Sequence, residues 1–361
     1  MPKQVQRILF IRLSAIGDIV MASGLPSSIK EIYSNEHKDT QLTWLVEEPY
    51  VNLVKDSPCV DNVIAWPKNT WRSMYKNKQY WQLLKAIWSF RRTLRAGQFT
   101  LVIEAQGLLK SAFLAFLSGT PIRVGFKSKE KSHYLLTHST RKPISNFISS
   151  EYRHLSHFIA TSNVTINSGG PRKTPIYKME ISVNPRIHAR ATEVLHTSGV
   201  QGPYIAIAPF TTRPQKHWPM NHWKNLITLL RDNFDIPIVV LGGPTDTSKG
   251  LEFETYGNNV ISLAGNISLA QSVAVVAQCH AFIGVDTGLT HLADSYQKPT
   301  VAIFGSTRPY TRTANSGTCV LFKDMPCAPC KRKPSCEGRF DCMQSITPED
   351  VIACLPVNIS C

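Results

Sequence analysis

The sequence predicts a doubly wound α/β protein of two similar halves, with a ligand cleft where such halves face one another. Three observations predict it. Short apolar runs rich in branched residues stop at Gly or polar positions, as buried parallel strands do. Amphipathic stretches of helical period lie between them. This alternation runs once before residue 180 and again after it. A chain of 361 residues exceeds one ordinary domain and fits two. The expected division is 1–180, 181–345 and a C-terminal helix or tail at 346–361.

In the first half, residues 8–11 read as a strand, a Gly-containing turn follows, and 19–33 reads as a helix. LTWLVEE (42–48) and TLVIEAQG (100–107) read as further buried strands. In the second half YIAIAPF (204–210) is a strand and NHWKNLITLLRDNF (221–234) an amphipathic helix. PIVVLGG (237–243) is a strand stopped by paired glycines, and SLAQSVAVVAQC (268–279) a helix with Ser268 as its cap. AFIGVDTG (281–288) is a strand entering a turn, LTHLADSYQ (289–297) a short helix and PTVAIFG (299–305) a strand. NSGGPRKTP (167–175) has the composition of a linker, and TPEDV (347–351) is a capped helix start with Thr347 as cap and Pro348 in the first turn.

Hydrophobic residues make up 43% and charged residues 18%, a balance that supports a large core and excludes a disordered chain. No apolar run approaches the roughly 20 residues of a membrane-spanning helix. The basic N-terminus leads into an apolar run that stops at Arg12 with no small-residue cleavage site, so no signal peptide is expected and the compartment is the cytoplasm. The net charge of +15 is lopsided: residues 1–180 carry 25 Lys+Arg against 12 Asp+Glu, and residues 181–361 carry 15 against 13. Such a field draws an anionic partner to the first half. Within it, residues 68–97 hold eight Lys/Arg, no acid, and Trp71, Trp81 and Trp88. This stretch reads either as a face for an anionic membrane surface or as a surface helix docked to its own domain through its Trp side.

Three post-strand turns carry the chemistry. In RLSAIGDIV (12–20), Gly17 allows a tight turn and Asp18 stands at a helix start, as a cap or as a general base. In APFTTRPQKHWP (208–219), Thr211, Thr212, Arg213 and Lys216 group as a phosphate cradle, or form a polar loop anchored by Trp218. In GVDTGLTHLAD (284–294), Asp286, Thr287 and Gly288 precede a helix whose first turn holds His291. Free N–H groups there suit a diphosphate, although Asp286 can equally be an N-cap and His291 a packing side chain. GGPTD (242–246) adds a Gly turn with Asp246 available for a ribose hydroxyl. Neither GxxxxGK[ST] nor a post-strand GxGxxG is present, which argues against a P-loop ATPase and a conventional NAD enzyme.

Taken together, RLSAIGD (12–18), EAQGLLKSA (104–112), TTRPQKHWP (211–219) and VDTGLTHLA (285–293) resemble the signature blocks of glycosyltransferase family nine. The closest likeness is to the first-heptose transferases of the lipopolysaccharide inner core. The resemblance implies a GT-B fold of two Rossmann-like domains, with the acceptor on the first and the nucleotide sugar on the second. It implies an inverting transfer of L-glycero-D-manno-heptose from ADP-heptose to a Kdo (3-deoxy-manno-octulosonic acid) residue of Kdo-lipid A. Asp18 would be the general base. Thr211, Thr212 and Lys216 would hold the diphosphate with the backbone of Thr287, Gly288 and Leu289, Asp286 would meet sugar hydroxyls, and His291 belongs to the same site. Lys110 and Arg123 are candidate acceptor contacts. No cofactor is required for catalysis and no clear DxD pair is present. The implied location is peripheral, at the inner face of the inner membrane.

Four of nine cysteines, Cys327, Cys330, Cys336 and Cys342, follow C-x2-C-x5-C-x5-C spacing. A structural zinc site is one reading; free thiols and disulfides formed on purification are the others. Rival functions are a second-heptose or other nucleotide-sugar transferase of the same family and, from another class, a basic nucleic-acid-binding protein. The last predicts steeply salt-dependent binding. No nucleic-acid module is recognised in the sequence, and four ordered transferase blocks stand against it, so no nucleic-acid partner is expected.

Overall fold

The computed structural model describes residues 5–34, 39–162, 174–330 and 333–356. The expected linker, 167–175, lies outside the described residues except for Thr174 and Pro175. The chain divides into two compact units: 1–145 with 149–182, and 146–148 with 183–361.

The first unit comprises β1 (Gln6–Ile11), α1 (Ile16–Ala22), α2 (Leu25–Ser34), β2 (Thr40–Glu47), α3 (Val51–Val54), β3 (Asn62–Trp66), α4 (Lys68–Lys76), α5 (Tyr80–Ala96), β4 (Leu101–Glu104), α6 (Leu109–Leu117), β5 (Ile122–Phe126), β6 (His138–Thr140) and α7 (Ser150–Thr161). Its strands form one parallel sheet in the order β3-β2-β1-β4-β5-β6. The second unit comprises α8 (Pro185–Thr197), β7 (Ile205–Ala208), α9 (Met220–Phe234), β8 (Ile238–Val240), α10 (Thr247–Glu254), β9 (Val260–Ser262), α11 (Leu269–Gln278), β10 (Ala281–Val285), α12 (Gly288–Ser295), β11 (Thr300–Phe304), β12 (Thr318–Phe322), α13 (Asp341–Gln344) and α14 (Pro348–Ala353). Its sheet, also parallel, runs β12-β11-β10-β7-β8-β9.

Both sheets have the same connectivity. Each starts at a central strand, winds outward on one side, then returns to wind outward on the other. The reversal falls between β1 and β4 in one unit and between β7 and β10 in the other. Loops at the carboxyl ends of such strand pairs diverge and leave a crevice, where ligands of these folds bind. The central strands β4, β7, β10 and β11 are buried throughout, because helices cover both faces of a parallel sheet.

The expected helix at 19–33 is two helices. Chain direction changes at Ser23–Gly24, where Gly24 backs onto the carbonyl of Lys178 so closely that no side chain would fit. Ser23 Oγ accepts the Glu180 N–H at 2.8 Å and Tyr177 Oη donates to the Met21 carbonyl, so the second stretch of the first unit (149–182) is tied back to this corner.

Two expected caps form. Ser268 Oγ accepts the Gln271 N–H and opens α11, and Thr347 Oγ1 accepts the Asp350 N–H at 3.2 Å and opens α14. Of the C-terminal segment, residues 346–355 pack onto the second unit: Ile346, Val351 and Leu355 are buried in the same cluster as Trp218, Trp223 and Leu226. Replacing Thr347 by Ala should therefore destabilise the second unit by about 1 kcal/mol, read as a lower urea midpoint at unchanged slope.

A disulfide, Cys319–Cys354, ties β12 to the end of α14. Cys327, Cys330, Cys336 and Cys342 are free thiols. They share one knuckle, and burial together with their mutual proximity pushes Cys330 and Cys342 up. Among the described residues no group of three or more His, Cys, Asp or Glu side chains is placed to hold a metal ion.

Candidate active site

At the β1/β4 reversal the chain leaves β1 through Arg12–Ala15 and enters α1. Asp18 occupies the third position of this helix. Its carboxylate accepts the Ala15 N–H only at 3.4 Å, and its main partner is Arg12 Nη2 at 2.5 Å. Asp18 thus does more than cap: a buried guanidinium aims a carboxylate that is 42% exposed. Arg12 is itself held by the Ala105 carbonyl at 3.2 Å and lies over the Tyr152 ring.

The EAQG segment braces this corner. Gln106 Oε1 accepts the Leu13 N–H at 3.0 Å, and Glu104 accepts the N–H groups of Gln106 and Gly107. Burial pushes the Glu104 carboxyl up, opposed by those hydrogen bonds and by Arg12. Its role is to hold the turn.

A second cluster stands at the same carboxyl edge. Glu47, the last residue of β2, is buried. It accepts Ser14 Oγ at 2.8 Å, Lys68 Nζ at 2.9 Å and Lys110 Nζ at 3.5 Å. Lys110 also lies over the Trp66 ring. Burial, and then the neighbouring Lys68, holds Lys110 below the usual lysine range. Two half-exposed ammonium groups on one carboxylate leave an excess positive charge, suited to an anionic ligand.

Arg123 does not join Lys110. It is the second residue of β5, opposite Val102 near the start of β4, so it sits toward the amino edge of the sheet. Its guanidinium is spent on the Thr120 and Leu135 carbonyls and over Phe116.

In the second unit Lys216 and Asp286 come from the two loops flanking the β7/β10 reversal. Lys216 ends a short 3-10 turn (Pro214–Lys216) after β7, and Asp286 follows β10. Lys216 Nζ meets Asp286 Oδ2 at 2.5 Å, His291 Nε2 meets Oδ1 at 3.5 Å, and Thr307 Oγ1 donates to Oδ2. Burial alone would favour a neutral carboxyl. The His291 hydrogen bond and charge, with Lys216, overcome it and hold Asp286 well below the usual carboxylate range. The other nitrogen of His291 lies 2.9 Å from Tyr310 Oη, whose proton is retained because burial pushes that hydroxyl up.

Thr287 is the N-cap of α12, and its side chain does not cap the helix. Gly288 and Leu289 supply the first helical N–H groups, next to the Asp286 cluster. Asp286 is no N-cap, and His291, though buried, faces Asp286 as well as packing near Phe304 and Tyr310. Thr211 and Thr212 lie on the β7 loop that also carries Lys216. Trp218 anchors that loop, donating Nε1–H to the Ile346 carbonyl at 2.9 Å. Asp246 stands in a separate turn after β8 and accepts the Gly243 N–H at 2.8 Å.

Arg12, Glu47, Lys68, Thr307 and Tyr310 belong to these clusters and were not among the candidates from sequence. Glu47 and Thr307 had a visible signal, since each is a polar residue at or just past the carboxyl end of a buried strand. Lys68 lay inside the basic stretch with nothing to single it out.

Two doubly wound units, each with polar side chains gathered at its reversal point, have the architecture of the GT-B glycosyltransferases. The profile of glycosyltransferase family 9 (heptosyltransferase) matches residues 87–340, and the chain belongs to that family. It is 27% identical over 332 residues to lipopolysaccharide heptosyltransferase 1 of Pseudomonas aeruginosa, covering 91% of this chain and 86% of that one. It is 24% identical over 365 residues to lipooligosaccharide heptosyltransferase 2 of Haemophilus ducreyi, covering 98% and 100%. Among solved structures, the fold matches a family 9 glycosyl transferase from Veillonella parvula with a TM-score of 0.78 at 19% identity, covering 98% and 97%. It matches the E. coli heptosyltransferase WaaC with ADP-2-deoxy-2-fluoro heptose with a TM-score of 0.70 at 23% identity, covering 96% and 98%.

Proposed function

We propose that this protein transfers L-glycero-D-manno-heptose from ADP-heptose to a Kdo residue of Kdo-lipid A, as a heptosyltransferase of the lipopolysaccharide core, with inversion and without a catalytic metal. The observation that carries the donor half is the Lys216–Asp286–His291 cluster beside the start of α12. A diphosphate resting on the Gly288 and Leu289 N–H groups draws on the helix dipole and on Lys216. Thr211 and Thr212 add donors, Asp286 accepts sugar hydroxyls, and Asp246 suits the ribose. Lys216 then turns from Asp286 to phosphate as the ligand enters.

On the first unit, Lys68 and Lys110 pair with carboxylate or phosphate of the acceptor. Asp18, aimed by Arg12, takes the proton of the attacking hydroxyl. That oxygen bonds to the anomeric carbon from the face opposite ADP as the bond to the diphosphate breaks. A single displacement inverts the centre.

The direct test is release of ADP from ADP-heptose with and without Kdo-lipid A. Acceptor-dependent release is expected. Silence from folded protein that binds ADP would reject this acceptor or sugar. Replacing Lys68 by Ala should raise the acceptor KM about tenfold or more and leave the donor KM unchanged, since charge-assisted contacts contribute about 1.5–3 kcal/mol. Acceptor affinity should also fall as pH rises, and sooner than for an ordinary lysine, because Lys110 is held low and loses its charge early. The preference for heptosyltransferase 1 over 2 rests on the Pseudomonas aeruginosa relative, at 27% identity against 24% for the Haemophilus ducreyi enzyme.

A further inference from the structure

We propose that the outward face of α5 is the surface by which this protein lies on an anionic lipid bilayer. The helix is apolar on two sides. Leu83, Ile87, Phe90 and Leu94 recur at helical spacing, and Phe90 and Leu94 are buried in the core of the first unit with Ile87 packed against it. A second stripe, Trp81, Leu84 and Trp88, stands about a quarter to a half turn away and is 80%, 56% and 56% exposed. A helix that only covers its own domain needs one apolar stripe; a second, solvent-facing one marks a contact surface.

The tryptophans of this region separate cleanly. Trp71 packs edge-on against Trp66 and Phe90 and belongs to the domain. Trp81 and Trp88 do not, and their exposure has no account within the unit. Tyr75 and Tyr80 extend the exposed aromatic surface across the turn between α4 and α5, with ring centroids 6.0 Å apart.

Charge selects the occupant. Residues 68–97 contain eight Lys/Arg and no Asp or Glu, and Arg92 lies 5.0 Å over the Trp88 ring. Lysine is depleted from the buried centre of protein interfaces. An amphipathic helix lying on a membrane has the observed composition instead: Trp and Leu at the acyl boundary, flanked by Lys and Arg at the depth of anionic headgroups. Among the described residues no helix is long and apolar enough to cross a membrane, so the contact lies along the surface.

The test is co-sedimentation of the whole protein with vesicles of phosphatidylglycerol and phosphatidylcholine against vesicles of phosphatidylcholine alone, at low and high salt. Binding to the anionic vesicles, weakened by salt, is expected. The W81A/L84A/W88A and K85E/R92E variants should each bind about tenfold more weakly or worse. Their thermal midpoints and ADP affinity should match the parent's, because these side chains are exposed. Absent binding by the parent, or equal binding by the triple variant, would overturn the proposal. So would a lipid-free dimer that the triple variant abolishes while its vesicle binding persists, because the stripe would then be a face for a second copy. Vesicle binding needs neither donor nor acceptor, so its failure leaves the transferase reading standing, and failure of transfer leaves the vesicle result standing.

Discussion

Replacing Asp18 by Asn is expected to lower kcat by about 10²–10⁴-fold, the contribution of a positioned general base, while ADP affinity stays at the parent's value. The amide keeps the shape of the carboxylate and an oxygen for Arg12, which also retains the Ala105 carbonyl. The corner should therefore survive, and the loss should register in the chemical step. Single-turnover rates at saturating donor and acceptor isolate that step. A variant that turns over at the parent's rate would remove Asp18 as the base and leave it as an ion-pair partner of Arg12.

Replacing Lys216 by Ala is expected to cost about 10²–10³-fold in kcat/KM for the nucleotide sugar, the loss seen when one preorganised donor to a developing charge is removed. Stability should fall too, by up to about 3 kcal/mol, because Asp286 is largely buried and keeps only His291 and Thr307 as partners. The two effects are separable. Calorimetric titration with ADP at a temperature where the variant is folded reads the site, and denaturant midpoints read the pair. Unchanged ADP affinity with lowered stability would assign Lys216 to the fold alone. Replacement by Arg tests geometry: charge is kept, but a planar fork replaces a point donor.

The Lys216–Asp286–His291 cluster was legible in the sequence for a physical reason. Lys216, Asp286 and His291 follow the ends of the short apolar strands β7 and β10 by eight, one and six residues, and parallel strands deliver the loops after them to one edge. The Glu47–Lys68–Lys110 cluster was legible only in part. Glu47 and Lys68 are 21 residues apart, and Glu47 and Lys110 are 63 apart. They meet because β2 lies between β3 and β1, with β4 on the far side of β1, and strand order is not written in any local pattern. Arg123 shows the opposite case, lying apart from Lys110. Closeness to a strand was visible, but which end of the strand it occupies was not, and in a parallel sheet that choice decides between a ligand edge and the far edge. The strands β3 and β12 escaped notice because they are only partly buried. The break between α1 and α2 had a visible signal in Pro26, which has no N–H to continue a helix; what stayed hidden is why position 24 is glycine, because the Lys178 carbonyl that faces it is 154 residues away in the chain.

The second unit takes three residues from the middle of the first unit's stretch of chain: Asn146–Ile148, whose backbone bonds to Thr311 and Arg312. Chimaeras between relatives that exchange donor specificity at the obvious junction near 182 would carry a foreign strap inside the transplanted half. A clean exchange of the second unit of this chain has to move 146–148 together with 183–361, which no single crossover can do.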